Sequence, residues 1–152
     1  MVPTWTSNRL SRLVKRSKRY LVDSALATAA ARIDETTILS DPDLLGRILD
    51  TFVVAQLRPE INLLRPRARL HHLRTEAGRR EVDIVVDLGA GHLIAAEVKA
   101  TTAPTSKDAR HLRWLRDELG ESFVRGILFH TGRQPFELDS RIWALPIATL
   151  WA

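Results

Sequence analysis

The sequence predicts a mixed α/β domain, with a three-stranded meander on one side of a sheet and a crossover strand on the other. Three observations carry this. Residues 41–60, "DPDLLGRILDTFVVAQLRPE", space their apolar residues as a helix does. Three β-type runs follow at short intervals. A second amphipathic stretch then precedes another apolar run, and a strand arriving after a helix pairs parallel to its predecessor. With 152 residues, 45% hydrophobic and 27% charged, the chain suits a single domain with one sizeable core.

Residues 1–40 read as a lead-in packed on the core, and residues 41–152 as the core itself. The first twenty residues are extended or partly helical. "RYLV" (19–22) is a short strand candidate. "DSALATAAARI" is helical, with Asp23 as N-cap. "DETTILSDPD" is a connecting loop. In the helix that follows, Asp41 caps and Pro42 takes the first helical position. Leu45, Ile48, Leu49 and Phe52 form its apolar stripe, and Pro59 marks its end. Asp50 shares a face with Gly46, Val53, Val54 and Leu57. A carboxylate there is costly unless something pairs with it; the plain alternative is an aspartate half in water at the margin of the stripe.

"RLHHLRT", "REVDIVVDL" and "HLIAAEVKA" are the three strands, joined by "EAG" and "GAG" turns that fit antiparallel hairpins. "TSKDARHLRWLRDEL" is a helix capped by Thr105 or Ser106, with Leu112, Leu115 and Leu119 on one face. "FVRGILFH" is a fourth strand, "RIWALP" a fifth, and "IATLWA" a closing helical turn.

Composition excludes several classes. There is no cysteine, hence no disulfide and no thiolate zinc site, which suits a reducing cytoplasm. No run is long enough to span a membrane, and the basic N-terminus lacks the apolar core of a signal peptide. His71 and His72 are adjacent on a strand and cannot chelate together; structural roles are expected for all five histidines. No nucleophile elbow or zincin motif occurs. Without a G-x-x-x-x-G-K-[ST] loop, P-loop binding of ATP is excluded, and no nucleotide cofactor is expected.

The net charge of +5 is uneven. Arg9, Arg12, Lys15, Arg16, Lys18 and Arg19 precede the first acid, and Arg65, Arg67, Arg69, Arg74, Arg79 and Arg80 form a second group. Such clusters suit a phosphate backbone, or are simply a solvated basic surface. Arg74, Arg79, Arg80 and Lys107 are the candidate DNA contacts.

The chemistry sits in "EVDIVVDLGAGHLIAAEVKA" (81–100). Strand alternation sends Ile94, Ala96 and Val98 to one face and Glu97 and Lys99 to the other. On the preceding strand, Val82 and Ile84 are expected opposite to Asp83. A hairpin then brings Asp83 and Glu97 to one side. Two carboxylates together repel, and a hard divalent cation resolves the conflict. A lysine beside it can orient water or stabilise charge on a phosphate. The plain alternative is an exposed Glu97–Lys99 pair on an edge strand, with Asp83 tied to Arg79 or Arg80.

Asp83, followed by Glu97-Val-Lys99 on consecutive strands, resembles the PD-(D/E)XK signature of restriction-endonuclease-like phosphodiesterases. "LRTEAGRREVDIVVDLGAGHLIAAEVKATTAPTSKDARHLRWL", "ALPIATLW", "KRSKRYLVDSALA" and "LLGRILDTFVVAQL" resemble one branch of it, a domain of unknown function found C-terminal to AAA-type ATPase modules in bacteria and archaea. The likeness runs from about Trp5 to Trp151. It implies an αβββαβ core with a mixed central sheet, Asp83 and Glu97 as metal-binding acids, and Lys99 as catalytic lysine. The family commonly has glutamate where this chain has Asp50, which would complete the metal shell. It usually has glutamate at Gln56 and glycine at Ala25. The resemblance implies Mg2+ or Mn2+, a DNA substrate and an AAA-type ATPase module or partner. The expected function is a metal-dependent DNA nuclease-like domain. The alternative is an inactive module of the same fold that binds DNA or the ATPase.

Overall fold

The computed structural model describes residues 1–5, 17–64, 67–75 and 80–151. Three helices come first: α1 (Ser24–Ala30), α2 (Glu35–Ser40) and α3 (Pro42–Leu63). Strands β1 (Arg69–Arg74), β2 (Glu81–Gly89) and β3 (His92–Lys99) follow, then α4 (Arg110–Leu119), β4 (Phe123–His130), β5 (Phe136–Asp139) and β6 (Ile142–Pro146). The last residues, Ile147–Trp151, form a 3-10 turn.

Local chemistry explains the boundaries. Asp23 caps α1 by accepting from the N–H groups of Ala25 and Leu26, and Asp41 caps α3 by accepting from those of Asp43 and Leu44. The expected loop before α3 contains α2 instead. Asp34 accepts from the Thr37 N–H, and Glu35 sits in the first turn, so a short helix is capped and charge-matched. "RYLV" is not a strand; only Lys18 beside it pairs, in an isolated antiparallel bridge with Val2. Helix α3 runs past Pro59 to Leu63. Proline removes one donor, and buried Ile61 holds the last turn against the core. Helix α4 starts at Arg110 rather than near Thr105. The Asp108 carboxylate accepts from both the N–H and the hydroxyl of Thr105, closing a separate turn ahead of the helix.

The six strands form one mixed sheet in the order β1-β2-β3-β4-β6-β5. β1, β2 and β3 are antiparallel; β3, β4 and β6 are parallel; β5 returns antiparallel on β6. The meander and the crossover strand are as the sequence predicts, and β5 is an addition. The β2–β3 turn explains its glycines. Gly89 pairs with His92, and Ala90 and Gly91 between them have φ of 53° and 84°, the two positive values of a tight primed turn.

Both sheet faces are covered. On one, Val53, Val54 and Ile61 of α3 pack with Ile84, Val86, Ala96, Val98 and Phe129. On the other, Leu112 and Leu115 of α4 pack with Val82, Val85, Leu93, Ala95, Leu128 and Ile142. The fully buried residues of α3 are thus on the Asp50 face; Leu45, Ile48, Leu49 and Phe52 are only half-buried. The strict alternation expected of β2 fails at Asp83. Val82 and Ile84, two residues apart, enter different cores. The cause is a bulge: His71 pairs with Val85 but Leu73 pairs with Val82, so β2 advances three residues while β1 advances two.

Candidate active site

The registers gather several chain ends at one edge of the molecule. Arg74 ends β1 opposite Glu81, which begins β2. Lys99 ends β3 beside His130, which ends β4 beside Pro146 of β6. Asp83 lies one step beyond the Ile84–Ala96 pair toward this edge. The β2 bulge falls at the same place, where bulges commonly redirect a side chain.

Glu97 and Lys99 are joined, with Lys99 Nζ 3.2 Å from Glu97 Oε2. They are not an exposed pair on an edge strand. β3 lies inside the sheet, and the Glu97 side chain is only 2% exposed. Burial pushes its carboxyl up to about 7; Lys99 works against this and the charge of Asp83 adds to it. Its other oxygen, Oε1, is buried without a hydrogen-bond partner. His111 Nδ1 is 3.7 Å from that oxygen, but no ion pair forms there. Burial holds the His111 pKa below its usual value, with the charge of Arg110 adding to the effect. Its ring is neutral, with Nδ1–H donating to the Glu81 carbonyl at 2.8 Å and Nε2 accepting from Arg110 Nε at 3.1 Å.

Asp83 does not pair with Arg80. Its Oδ1 accepts from Lys18 Nζ at 2.9 Å, and the same ammonium is 3.0 Å from Asp50 Oδ2 and 3.7 Å from Glu81 Oε1. This answers the oddity of an aspartate on the buried face of α3: a lysine from the lead-in reaches it. Burial pushes the Asp50 carboxyl up to about 6, and Asp83 adds to this against the pull of Lys18. For Lys18, burial works to lower the pKa, but Asp83 and Asp50 outweigh it and the net shift is upward. Lys18 is therefore charged, and the two aspartates share it.

Nothing in the sequence marks Lys18 for this role. It is one of six bases before the first acid, and only the fold turns it inward. Glu81 is similarly unmarked. The candidate DNA contacts Arg74, Arg80 and Lys107 are exposed, and Arg79 lies outside the described residues. Arg80 lies over Trp114, its guanidinium carbon 4.4 Å from the ring centroid, and Arg74 Nε is 3.9 Å from Glu81 Oε2.

A family model described as Domain of unknown function (DUF4143) matches residues 45–150. The chain belongs to the DUF4143 family. The matched segment contains Asp50, Asp83, Glu97 and Lys99; Lys18 precedes it. No curated protein and no solved structure matches this DUF4143 chain. Among the described residues no helix is long and apolar enough to cross a membrane.

The donors suit a hard cation in kind: three carboxylates, with one buried oxygen of Glu97 unfilled and an ammonium standing as the cation between the other two. Among the described residues, however, no three His, Asp or Glu side chains are grouped to hold a metal. The ammonium explains the spacing. It sits about 3 Å from each aspartate, whereas Mg2+ draws oxygens to about 2.0–2.1 Å.

Proposed function

We propose that this chain is a nuclease-like domain of the PD-(D/E)XK type, with the restriction-endonuclease-like αβββαβ core, that hydrolyses DNA phosphodiesters. The observation that carries this reading is the Glu97–Lys99 pair at the end of an interior strand, with Asp83 close enough to bear on the Glu97 carboxyl. Glu97 is buried and Lys99 half-exposed. The carboxylate thus holds the ammonium at the mouth of the site, where it can meet a phosphate. Charge growing on a phosphoryl oxygen is stabilised by such a fixed cation.

Asp83, Glu97 and Asp50 would hold Mg2+ or Mn2+, which when bound supplies Lewis acidity at the phosphate and a more acidic water. Glu97 must be ionised to take part, and its raised pKa sets that requirement near neutral pH. Arg74, Arg80 and Lys107 are available to the DNA backbone at the same sheet end or in the loop leaving it. Their contribution would fall steeply with salt. The lack of cysteine suits action in the cytoplasm, with an AAA-type ATPase module or partner coupled to the domain.

One observation favours a second reading, in which the fold serves only to bind DNA or the ATPase. Lys18 already neutralises part of the Asp50–Asp83 charge. Incubation of supercoiled and linear DNA with the protein and Mg2+ or Mn2+, beside Asp83→Ala, separates the two. Metal-dependent cleavage lost in Asp83→Ala supports the nuclease. Binding without cleavage under either metal supports the binding module.

A further inference from the structure

Lys18 belongs neither to α3, which carries Asp50, nor to β2, which carries Asp83, yet it is firmly set. Its N–H donates to the Val2 carbonyl at 3.0 Å, and the Val2 N–H returns a bond to the Lys18 carbonyl at 2.8 Å. The Lys18 N–H also reaches His72 Nε2 at 3.2 Å, the same ring nitrogen that Thr4 Oγ1 meets at 3.0 Å. Two residues on, the Tyr20 hydroxyl donates to the Asp83 carbonyl at 3.4 Å, and the Tyr20 ring centroid is 5.3 Å from Lys18 Nζ. Lead-in and β1 together build a strap whose tip is one ammonium between two carboxylates.

That position has two candidate occupants. Lys18 Nζ is half-buried, and its contacts to Asp50 and Asp83 are 3.0 and 2.9 Å. A divalent ion held by the same two oxygens would stand almost where the nitrogen stands, at shorter range and with twice the charge. Two cations cannot share that space without strong repulsion. A single positive charge between two aspartates, with Glu81 3.7 Å away, also leaves the cluster net negative. Independently of Lys18, the buried Oε1 of Glu97 has no hydrogen-bond partner, so the neighbouring carboxylate retains an oxygen for a ligand.

We propose that Lys18 is the resident cation of the Asp50–Asp83 pair, and that a divalent metal competes with it and lifts the lysine off the site when it binds. The inference rests on the metal-dependent reading above and adds to it a barrier built into the chain. Metal affinity is lowered by the cost of displacing Lys18, and anything that draws the lead-in away raises it. The lead-in thereby becomes a control element for the site.

The test is Mn2+ binding to the full chain, followed by the electron paramagnetic resonance of free Mn2+. The proteins compared are the wild type, Lys18→Met, and Lys18→Met combined with Asp83→Asn. The expected result is at least tenfold tighter Mn2+ binding by Lys18→Met, with the gain lost in the double variant. Equal affinity in wild type and Lys18→Met, or no binding by either, overturns the proposal. Should Lys18→Met fail to fold, Mg2+ titration of the wild type decides the matter through the side-chain ammonium resonance of Lys18. Movement of that signal with Mg2+ supports displacement, and an unmoved signal overturns it. DNA cleavage is not the readout. An inactive protein that shows the competition sinks the nuclease reading alone, and a cleaving protein with equal affinities sinks this proposal alone.

Discussion

The Lys18 ammonium lies 2.9 Å from Asp83 Oδ1 and links a residue of the lead-in to the start of β2. Both side chains are largely shielded, 27% and 18% exposed. Such a pair resists salt screening better than a surface pair, whose worth is about 0–1 kcal/mol. A double-mutant cycle of Lys18→Met and Asp83→Asn, read by urea unfolding, is expected to give a coupling of about 1–3 kcal/mol. A coupling within error of zero would show that the contact is incidental.

The same pair sets a pH dependence. The Lys18 pKa is raised, so its contribution is complete below the ordinary lysine value of 10.5 and is lost as pH rises past it. Asp50 is pushed up from 3.8 to about 6, so its contribution is present at low pH and is lost as pH rises through that interval. Removing Lys18 leaves Asp50 facing the charge of Asp83 without the ammonium that stands 3.0 Å from it. Lys18→Met should therefore lose more stability, relative to wild type, at pH 8 than at pH 5. Unfolding curves at both pH values check the sign.

Glu97 gives the clearest case of stability set against function. Its carboxyl is pushed from 4.5 to about 7, chiefly by burial. The stability it contributes is complete below the lower value and is lost as pH rises toward the upper one, a difference of about 3 kcal/mol. Glu97→Gln should recover on the order of 1–3 kcal/mol at pH 8, since it keeps the shape and forfeits only the contact with Lys99. It should also flatten the stability profile between pH 4.5 and 7. An unchanged profile would mean that Glu97 does not titrate in this interval.

How far the sequence discloses the molecule varies with the distance over which each feature is determined. The capped helices at Asp23 and Asp41, the three meander strands and the crossover strand are all written locally, in caps, turns and apolar runs. The pairing of Glu97 with Lys99 is equally local, two residues apart on one strand. What was not legible depends on partners far along the chain. Lys18 reaches Asp83 across 65 residues, and nothing near Lys18 distinguishes it from its basic neighbours. The bulge at Asp83 lies in β2 but is defined only by its register with β1, so alternation within β2 alone puts Val82 and Ile84 on one face when they enter two cores. Pro59 is a local stop signal overridden by a tertiary contact, the burial of Ile61.

If the nuclease reading holds, Lys99 should matter to rate far more than to fold. Its side chain is about one-third exposed and, among the described residues, makes one ion pair, to Glu97. Lys99→Met should slow DNA cleavage by about 10²–10³-fold, the range for loss of a single stabilising group in an active site. Far-UV circular dichroism and DNA affinity should stay close to wild type. Cleavage by the wild type should also rise with pH and level off above about 7, as Glu97 becomes ionised. In Lys99→Met, Glu97 loses the cation that opposes its burial, so any residual activity should level off at higher pH. Cleavage initial rates across pH 5.5–9 for the two proteins would measure both effects. A Lys99→Met rate equal to wild type would remove Lys99 from the chemistry.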